Sequence, residues 1–485
     1  MRKRYIMNIL GILSAKEICV MVRLGRKNVD PAQGITEGVI WKQLLSFFFP
    51  ILLGIFFQQL YNTADAIIVG KFVGTKGLAA VGATGSLINL IVGFFTGLAS
   101  GATVIVSQYY GARQDKDVNR TVHTAIAFAL VGGLFLTVLG YMLSPMLLGL
   151  MGTPEDIMPY ATEYIRIYFL GMIPMLIYNI GAGVLRAVGD SRRPLYFLIA
   201  SCMVNIVLDV LLVLGLDKGV AGAAWATTLS QFFSAVLVII TLMRSQTSYQ
   251  LFIKRIRFHG DIMMGMVRIG LPAGLQSVMY SLSNVIIQST VNSFGTDVIA
   301  AWTAFGKLDS FFWMIISAFG IAITTFVGQN FGARKYDRMK KSVHTCLAMS
   351  IGATLVVILV MMTLGRSLYG MFTSEERVLE LGMQILNQLA PFWLTYICIE
   401  IYSGALRGCG DSLLPTVFTL VGVCLLRVVW LLCVVPHFHS LKLTLYCYPI
   451  TWSVTSVLFL VYYYGSNWLK RCKKKYRHDE MPAEG

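Results

Sequence analysis

Long apolar stretches separated by short polar segments run along most of the chain. Each stretch holds roughly 20 or more residues, the length that an α-helix needs to cross a hydrocarbon layer about 30 Å thick. Twelve stretches are found, near residues 44–69, 83–108, 122–148, 160–180, 194–215, 219–243, 264–291, 306–329, 343–365, 383–403, 414–436 and 443–464. The pattern predicts an all-α integral membrane protein with twelve transmembrane helices.

The composition is that of a chain surrounded by lipid. Apolar residues make up 56% of the sequence and charged residues 13%, and the mean hydropathy is +0.69. A soluble domain carries about 25% charged residues. The polar surface is therefore too small for a soluble protein, and we expect the lipid bilayer to be its surroundings.

Two segments of the first half return in the second half at a spacing of 221 residues. Residues 106–125 match residues 327–346 at eight of twenty positions, and residues 183–194 match residues 404–415 at seven of twelve. Six helices return the chain to its starting side of the membrane, so both copies have the same orientation. The sequence predicts two parallel six-helix repeats with a V-shaped central cleft between them, which is a transporter architecture.

The repeats predict two lobes. We expect helices 1–6 in a first lobe at residues 39–243, a linker at residues 244–263, and helices 7–12 in a second lobe at residues 264–466. A basic extension at residues 1–38 is expected to be disordered or to precede the true start of the protein. Residues 467–485 are expected to form a basic cytoplasmic tail.

Basic residues are concentrated in alternate loops. The net charge is +16, and Lys and Arg cluster near residues 113–120, 192–193, 254–257 and 334–341 and in the tail, while the loops between them are poor in both. By the positive-inside rule, both termini and the linker are cytoplasmic. Membrane topology explains this charge, so we expect no nucleic-acid partner. The sequence also lacks a Gly-x-x-x-x-Gly-Lys-Ser/Thr loop, so we expect no ATP hydrolysis by that route.

Ionisable residues inside the predicted helices are the main indication of a functional site. A charge at the membrane centre costs about 2.5 to 3.5 kcal/mol on insertion scales, yet Asp65, Asp209, Asp309, Glu400 and Arg427 lie there. Two carboxylates that face each other away from water hold a proton, and with amide and hydroxyl oxygens they hold a hard cation instead. The alternative is that these carboxylates only bond to neighbouring helices.

The second half lacks the acidic pair of the first. Asn205 precedes Asp209 by four residues, which places both side chains on one helix face. At the repeat spacing Asp209 corresponds to Trp430 and Asp65 to Ile287. Carboxylates needed only to assemble a six-helix bundle would be needed in both copies. The asymmetry therefore favours an ion site in the first half.

These features resemble the multidrug and toxic compound extrusion (MATE) family, and within it the DinF-like branch. The resemblance rests on the duplicated layout, Pro50 fifteen residues before Asp65, the paired Gln-x-x-Gly-Ala-Arg and Gly-x-Leu-Arg-x-x-Gly-Asp-Ser segments, and Asn205 four residues before Asp209. It covers about residues 38–466. It implies an antiporter of the cytoplasmic (inner) membrane that exports organic, often cationic and amphipathic compounds in exchange for H⁺ or Na⁺. Such a protein is a secondary transporter rather than an enzyme, and we expect it to be a monomer without a cofactor.

The resemblance also implies roles for individual residues. Four positions correspond to the coupling-ion site of the family and would bind Na⁺ in a sodium-coupled protein: Asp65, Asn205, Asp209 and Thr227. Thr228 is adjacent to Thr227 and is the alternative hydroxyl. Pro50 corresponds to a proline at which helix 1 bends.

A substrate cleft is expected to have polar and aromatic lining. We expect that lining to include Tyr61, Asn62, Asn284, Gln288, Glu400 and Arg427. The chain departs from the NorM-like branch, whose second lobe has its own acidic pair, because Asp309 and Glu400 do not fall on that motif. Glu400 would attract a cationic substrate, while Arg427 would either pair with Glu400 or recognise an anionic substrate.

Two other functions remain open from the sequence. A flippase for lipid-linked oligosaccharides or other lipids shares the duplicated plan, but it needs a strongly cationic cleft for a pyrophosphate group. Only Arg427 and Lys307 lie near such a place. A non-transporting membrane receptor or scaffold, the third class, would show no ion-dependent flux.

Overall fold

A computed structural model of the chain describes residues 35–438 and 440–480. In this part of the protein eleven helices are long and apolar enough to cross a membrane, and two shorter helices together make a twelfth span. The spans are α1 (Ile40–Phe72), α2 (Thr75–Gly111), α3 (Asp115–Leu150), α4 (Met158–Leu170 with Met172–Ala187), α5 (Arg192–Gly215), α6 (Gly219–Arg244), α7 (Gly260–Asn292), α8 (Thr296–Gly332), α9 (Tyr336–Gly370), α10 (Glu376–Gly408), α11 (Leu413–Phe438) and α12 (Leu441–Gly465). The predicted twelve-helix fold is confirmed.

Several spans depart from a regular α-helix. The two parts of α4 are bent by 49° at Gly171, and Pro174 follows in the first turn of the second part, where its missing N–H breaks no helical bond. In α5 a π-helical segment, Val210–Gly215, follows the regular part. In α11 a π-helical segment, Leu420–Leu425, comes before Leu426. Such segments widen the helix and are frequent at functional sites.

Contacts divide the chain into two lobes, and the division falls inside two helices. The first lobe is Phe49–Gly270, and the second is Ile35–Phe48 with the described residues from Leu271 onward. α1 therefore begins in the second lobe and α7 begins in the first, and each changes lobe just before a proline. The lobes predicted to begin at residues 39 and 264 follow chain order and lack this exchange.

The start of each exchanged helix packs on its lobe through equivalent positions. In the first lobe Gly101 and Gly270 bring α2 and α7 close together, since a Cβ on Gly270 would overlap the carbonyl group of Leu98. In the second lobe Phe48, equivalent to Gly270, stacks on Phe319, equivalent to Leu98, with ring centroids 4.1 Å apart. Small residues permit close backbone contact between membrane helices, whereas aromatic rings fill a wider gap.

Backbone conformation repeats at the same spacing as the sequence. Three pairs of residues 221 positions apart have positive φ: Gly74 and Gly295 (97° and 97°), Arg113 and Arg334 (58° and 58°), and Gly189 and Gly410 (99° and 84°). This region strongly favours glycine, so a non-glycine residue there in both copies is unusual. The duplication therefore extends to local turns.

The linker predicted at residues 244–263 is attached to the first lobe. The side-chain amide of Asn119, at the start of α3, donates a 2.8 Å hydrogen bond to the carbonyl of Gln250. The backbone N–H of Phe252 donates a 3.0 Å bond to Nε2 of His123. The segment is therefore held in place rather than free to move as a tether.

The amino-terminal end of the described chain is also held. Residues 1–34 of the predicted extension at residues 1–38 lie outside the described part of the chain. In the rest of that extension, the carbonyls of Ile35 and Gly38 accept hydrogen bonds from Arg338. The predicted tail begins with a helix, α13 (Trp468–Glu480). Residues 481–485 lie outside the described part.

Candidate functional site

Four polar side chains from three helices meet inside the first lobe. Asp65 lies on α1, Asn205 and Asp209 on α5, and Thr227 on α6. All four are buried, and Asp209 is completely inaccessible. These are the residues that the family resemblance assigns to the coupling ion.

Only some of the polar atoms in this pocket have hydrogen-bond partners in the described part of the protein. Thr227 Oγ1 donates a 3.0 Å hydrogen bond to Oδ2 of Asp65. The Asp209 carboxyl group and the Asn205 amide lie within reach of Asp65, but neither makes a hydrogen bond of normal geometry with any described residue. Asp65 Oδ1, both oxygens of Asp209 and both polar atoms of Asn205 thus lack a protein partner. Buried polar atoms are nearly always bonded in native proteins.

The facing carboxyl groups explain why the pocket suits an ion. Two carboxylates in contact repel strongly where little water is present to screen them. A shared proton, or a Na⁺ ion held by carboxylate, amide and hydroxyl oxygens, removes this repulsion and uses the unpartnered atoms. No group of three or more His, Cys, Asp or Glu side chains able to hold a metal occurs within residues 35–438 and 440–480. The donors in the pocket are carboxylate, amide and hydroxyl oxygens, hard ligands that suit H⁺ or Na⁺ rather than a soft transition metal.

The neighbouring threonines have separate roles. Thr228 Oγ1 donates a 3.1 Å hydrogen bond to the carbonyl of Ile167, so of the two hydroxyls only that of Thr227 reaches Asp65. A void of about 10 Å³ lies beside Thr227, Thr228 and Gln231, which is about the space of one water molecule.

Aromatic side chains surround the acidic pocket. Tyr61, expected to line a substrate cleft, is buried near Asp65 together with Tyr164. Tyr168, also near Asp65, is half-buried. Asn62, its neighbour on α1, is exposed. The structure thus places Tyr61 beside the acidic pocket and Asn62 outside it.

Pro50 lies fifteen residues before Asp65 in the same helix. α1 is continuous from Ile40 to Phe72, so the proline removes one backbone hydrogen bond from an otherwise regular helix. The division between lobes falls at Phe48 and Phe49. Pro50 therefore weakens α1 where its packing partners change.

The second lobe contains a different site, a cavity of about 450 Å³. Two charged residues, Asp309 of α8 and Arg427 of α11, line it. Asn284 and Gln288, expected in the substrate cleft, line it from α7. Most of the remaining wall is aromatic: Tyr280, Trp302, Trp313, Tyr396, Tyr448 and Trp452.

The charged side chains of this cavity do not form a salt bridge. Asp309 Oδ2 accepts a 2.6 Å hydrogen bond from the indole N–H of Trp313. The Arg427 guanidinium lies 4.3 Å from the ring centroid of Tyr448 and is buried. Arg427 has no ion-pair partner among the residues that the structure describes.

Glu400 lies elsewhere in the second lobe. Its charged neighbour is Arg407, at 3.8 Å between Oε1 and Nη2, rather than Arg427. It packs against Gly320 of α8, where a Cβ would overlap the carboxyl group. Glu400 is not among the residues that line the cavity. The pairing of Glu400 with Arg427 considered from the sequence is therefore wrong, because α10 carries its own arginine seven residues further on.

Sequence reasoning missed most of the aromatic wall. The spacing of Tyr280, Asn284, Ile287 and Gln288 is typical of one helix face, and it is the signal that was available. Trp313 and Tyr448 come from other helices, and only the packed structure brings them together.

Comparison with known proteins identifies the chain. The sequence model of the MatE family matches residues 50–211 and again residues 272–432, once in each repeat. The Probable multidrug resistance protein YoeA of Bacillus subtilis (strain 168) is 28% identical over 444 residues, which are 89% of this chain and 95% of that protein. The Multidrug export protein MepA of Staphylococcus aureus (strain MRSA252) is 23% identical over 399 residues, covering 81% of this chain and 87% of that protein.

Solved structures agree with the fold. A MOP superfamily transporter from Pyrococcus furiosus has a TM-score of 0.84 at 22% identity and covers 92% of this chain and 99% of its own. A MATE crystal structure in the bent conformation has a TM-score of 0.84 at 22% identity and covers 94% and 100%. At this identity the similarity supports the fold alone. Because the family sequence model covers most of both repeats, the chain belongs to the MatE family of multidrug efflux transporters, which are not enzymes and need no cofactor.

Proposed function

We propose that this protein is a cation-coupled antiporter that exports organic, cationic or amphipathic compounds by alternating access. The observation that carries the proposal is the buried pair Asp65 and Asp209, which has oxygens without protein partners. The coupling ion is H⁺ or Na⁺, bound by these residues with Asn205 and Thr227. The relatives named for multidrug resistance and export support the substrate class.

Ion binding is coupled to helix α1 through Asp65. With the protein open to the outside, H⁺ or Na⁺ neutralises the carboxyl pair and removes the repulsion between α1 and α5. α1 then repacks around Pro50 and the exported compound is released. Release of the ion to the cytoplasm restores the charge and resets the protein.

The driving force is sufficient for efflux. One elementary charge that moves through 100 mV releases about 2.3 kcal/mol, which corresponds to about a fiftyfold concentration ratio. No ATP is required. Each of the two sites is lined by side chains of one lobe, so a monomer in the inner membrane, with both termini cytoplasmic, is sufficient. We assign it to the DinF-like branch because the acidic pair lies in the first lobe.

Transport into everted membrane vesicles tests the proposal. The fluorescent organic cation ethidium is the probe, and an acid lumen or a high-Na⁺ lumen is imposed separately. The unmodified protein should accumulate ethidium with one of these gradients, whereas Asp65→Asn and Asp209→Asn should show no gradient-driven accumulation. Asp297→Asn is the matched control, since it removes a carboxylate of the second lobe whose ion pair with Arg377 is exposed.

Replacement of either acidic residue is predicted to abolish gradient-driven transport. If Asp209→Asn, present in the membrane at normal levels, retained gradient-driven ethidium accumulation, the assignment of the ion site would be wrong. If neither gradient drove accumulation by the unmodified protein, cation coupling itself would be wrong.

The flippase alternative has less support. Its pyrophosphate group needs several cations, and Arg427 is the single Lys or Arg that lines the second-lobe cavity within the described chain. The relatives named above are multidrug proteins. A receptor or scaffold gives no reason for an ion pocket.

A further inference from the structure

In the second-lobe cavity, one buried atom of an acidic side chain and one of a basic side chain make no hydrogen bond with a described residue. They are Oδ1 of Asp309 and Nε of Arg427. Neither residue belongs to the acidic pocket of the first lobe. Their chemistry bears on which compounds the cavity accepts.

Arg427 has the greater need of a partner. Its side chain is 2% exposed and lies inside a membrane span, and an arginine is not deprotonated in proteins. A buried charge is normally paired. The ring of Tyr448 satisfies one face of the guanidinium, while its planar fork remains suited to a carboxylate.

Asp309 is half satisfied. The indole of Trp313 donates to Oδ2 and fixes the carboxyl group in place. The indole of Trp393 lies near the same carboxyl group, but Oδ1 makes no hydrogen bond of normal geometry with a described residue. An ammonium group can donate to this oxygen while it lies against the faces of the surrounding indole rings. Asp309 and its aromatic neighbours therefore have the composition of a site for an organic ammonium.

The cavity that these groups line has the size and lining of a small-molecule site. Its volume of about 450 Å³ lies within the range of about 300 to 1,000 Å³ for such pockets. Tyr280 and Tyr396 are joined through their hydroxyl groups at 3.3 Å, and Trp302 and Tyr448 lie with ring centroids 6.0 Å apart. Flat apolar walls of this kind bind aromatic groups.

The backbone near Arg427 is also irregular. The π-helical segment Leu420–Leu425 ends two residues before it. In the first lobe the order along the chain is the opposite, since the π-helical segment Val210–Gly215 starts directly after Asp209. In each lobe a π-helical segment therefore adjoins a charged residue of the site.

We propose that the second-lobe cavity binds an aromatic zwitterion, with its ammonium group on Asp309 and its carboxylate on Arg427. This rests on the proposed export function, and within its organic and amphipathic substrates it names a class that the cavity binds more tightly than simple cations such as ethidium. A simple organic cation leaves Arg427 without a counter-ion, and a simple anion leaves Asp309 without a donor. A zwitterion satisfies both and brings no net charge into the membrane span.

Calorimetry on the purified full-length protein in lipid nanodiscs, without any ion gradient, tests this. The probes are 2-naphthylalanine as the zwitterion, its amide as the cation and its N-acetyl derivative as the anion. They are used at about pH 6.5, below the usual α-amino pKa of about 7.7 to 8.0. The zwitterion should bind at least about tenfold more tightly than either derivative, since each derivative leaves one charged group unpaired.

Variants assign the two ends of the probe. Arg427→Gln should lower the affinity for the zwitterion to that of the amide for the unmodified protein, and Asp309→Asn should lower it to that of the N-acetyl derivative. Arg427→Lys keeps the charge and should retain part of the affinity, which separates loss of charge from misfolding. The control Arg366→Gln, which removes an exposed arginine of the same lobe, should bind as the unmodified protein does.

Several results would overturn the assignment. They are equal binding of the amide and the zwitterion, no binding of any probe, and unchanged affinity in Arg427→Gln. Because no gradient is present, these results are independent of ion coupling. Failure of coupling appears only in the vesicle flux.

Discussion

Asp65 and Ile287 occupy equivalent places in the two repeats, and so do Thr227 and Tyr448. In the first lobe, Asp65 and Thr227 are buried and bonded to each other. In the second lobe, Ile287 and Tyr448 both line the cavity of about 450 Å³. The same region of the duplicated fold is therefore a compact acidic pocket in one copy and an open aromatic cavity in the other.

The charges differ in the same way. Asp309 and Arg427 line the second-lobe cavity, and the equivalent positions in the first repeat hold Ile88 and Ile206. The turns, by contrast, keep the same backbone conformation in both copies. Duplication has preserved the scaffold while the side chains of the two sites have diverged. Under the proposals above, one copy binds the ion and the other binds the exported compound.

The largest effect is expected when Asp65 of the first lobe is replaced by isoleucine, the residue at the equivalent position of the second lobe. Asp65→Ile should remove ion coupling, so the accumulation of about fiftyfold that 100 mV sustains per charge should fall to that of passive entry. Ethidium uptake into everted vesicles measures it. Continued gradient-driven uptake would mean that the acidic asymmetry between the lobes has no role in coupling.

The two adjacent threonines give the next largest effect. Thr227→Val removes a hydrogen bond to a carboxyl group, an interaction worth about 1.5 to 3 kcal/mol, so the ion concentration for half-maximal transport should rise at least about tenfold. Thr228→Val is the matched control, because its hydroxyl bonds to a backbone carbonyl, and it should change that concentration much less. Equal shifts in the two variants would contradict the placement of Thr227 in the ion site.

The two prolines compare the two exchanged helices. Pro50→Ala should slow transport by about fivefold, a change of about 1 kcal/mol in the barrier, because α1 carries Asp65 and must repack when the ion binds. Pro272→Ala alters the equivalent place in α7, which carries Ile287 instead, so its effect on the ion-dependent rate should be smaller. Initial rates in proteoliposomes at saturating ion decide this, and a larger loss in Pro272→Ala would reverse the proposed roles of the helices.

The smallest effect concerns the linker, which docks on the first lobe through Thr124 and His259 at 2.9 Å. The pKa of His259 is lowered from its usual value by partial burial and by the positive charges of Arg120 and Arg257, with Asp261 acting in the opposite sense. In the folded protein the neutral ring accepts a 3.1 Å hydrogen bond from Arg257.

A lowered folded-state pKa means that the unfolded chain binds the proton more readily. The contribution of His259 to stability is present above about pH 6.5, the ordinary pKa of histidine, and is lost as the pH falls through the folded value. The melting temperature should thus fall more steeply between pH 7 and 5.5 in the unmodified protein than in His259→Asn, by at most about 2 °C. Identical slopes would show that His259 does not report on linker docking.

Much of the architecture follows from sequence patterns that act over short distances. Apolar runs determine the spans, and the fixed spacing of 221 residues relates Arg113 to Arg334. Asn205 and Asp209 share a face because they are four residues apart in one helix. The meeting of Asp65 with α5 and α6 depended on the family resemblance, since no local pattern links these helices.

The features that escaped prediction depend on packing between distant segments. The first turns of α1 and α7 belong to the opposite lobe because of the surfaces that Phe48 and Gly270 contact. A sequence repeat does not show which residues are in contact, so it could not predict this exchange. The aromatic wall draws on four helices. The π-helical segment next to Arg427 has no distinctive residue, because Leu420–Leu425 reads as ordinary apolar helix.

The crossing of α1 and α7 between lobes has a consequence for fragments of this protein. A polypeptide cut in the linker would give an amino-terminal piece whose residues 35–48 belong with the other piece, and a carboxy-terminal piece whose residues 260–270 belong with the first. Each fragment would contribute a segment of helix that packs in the lobe formed by the other fragment. Two halves synthesised separately should therefore recognise each other and co-purify without any peptide bond between them.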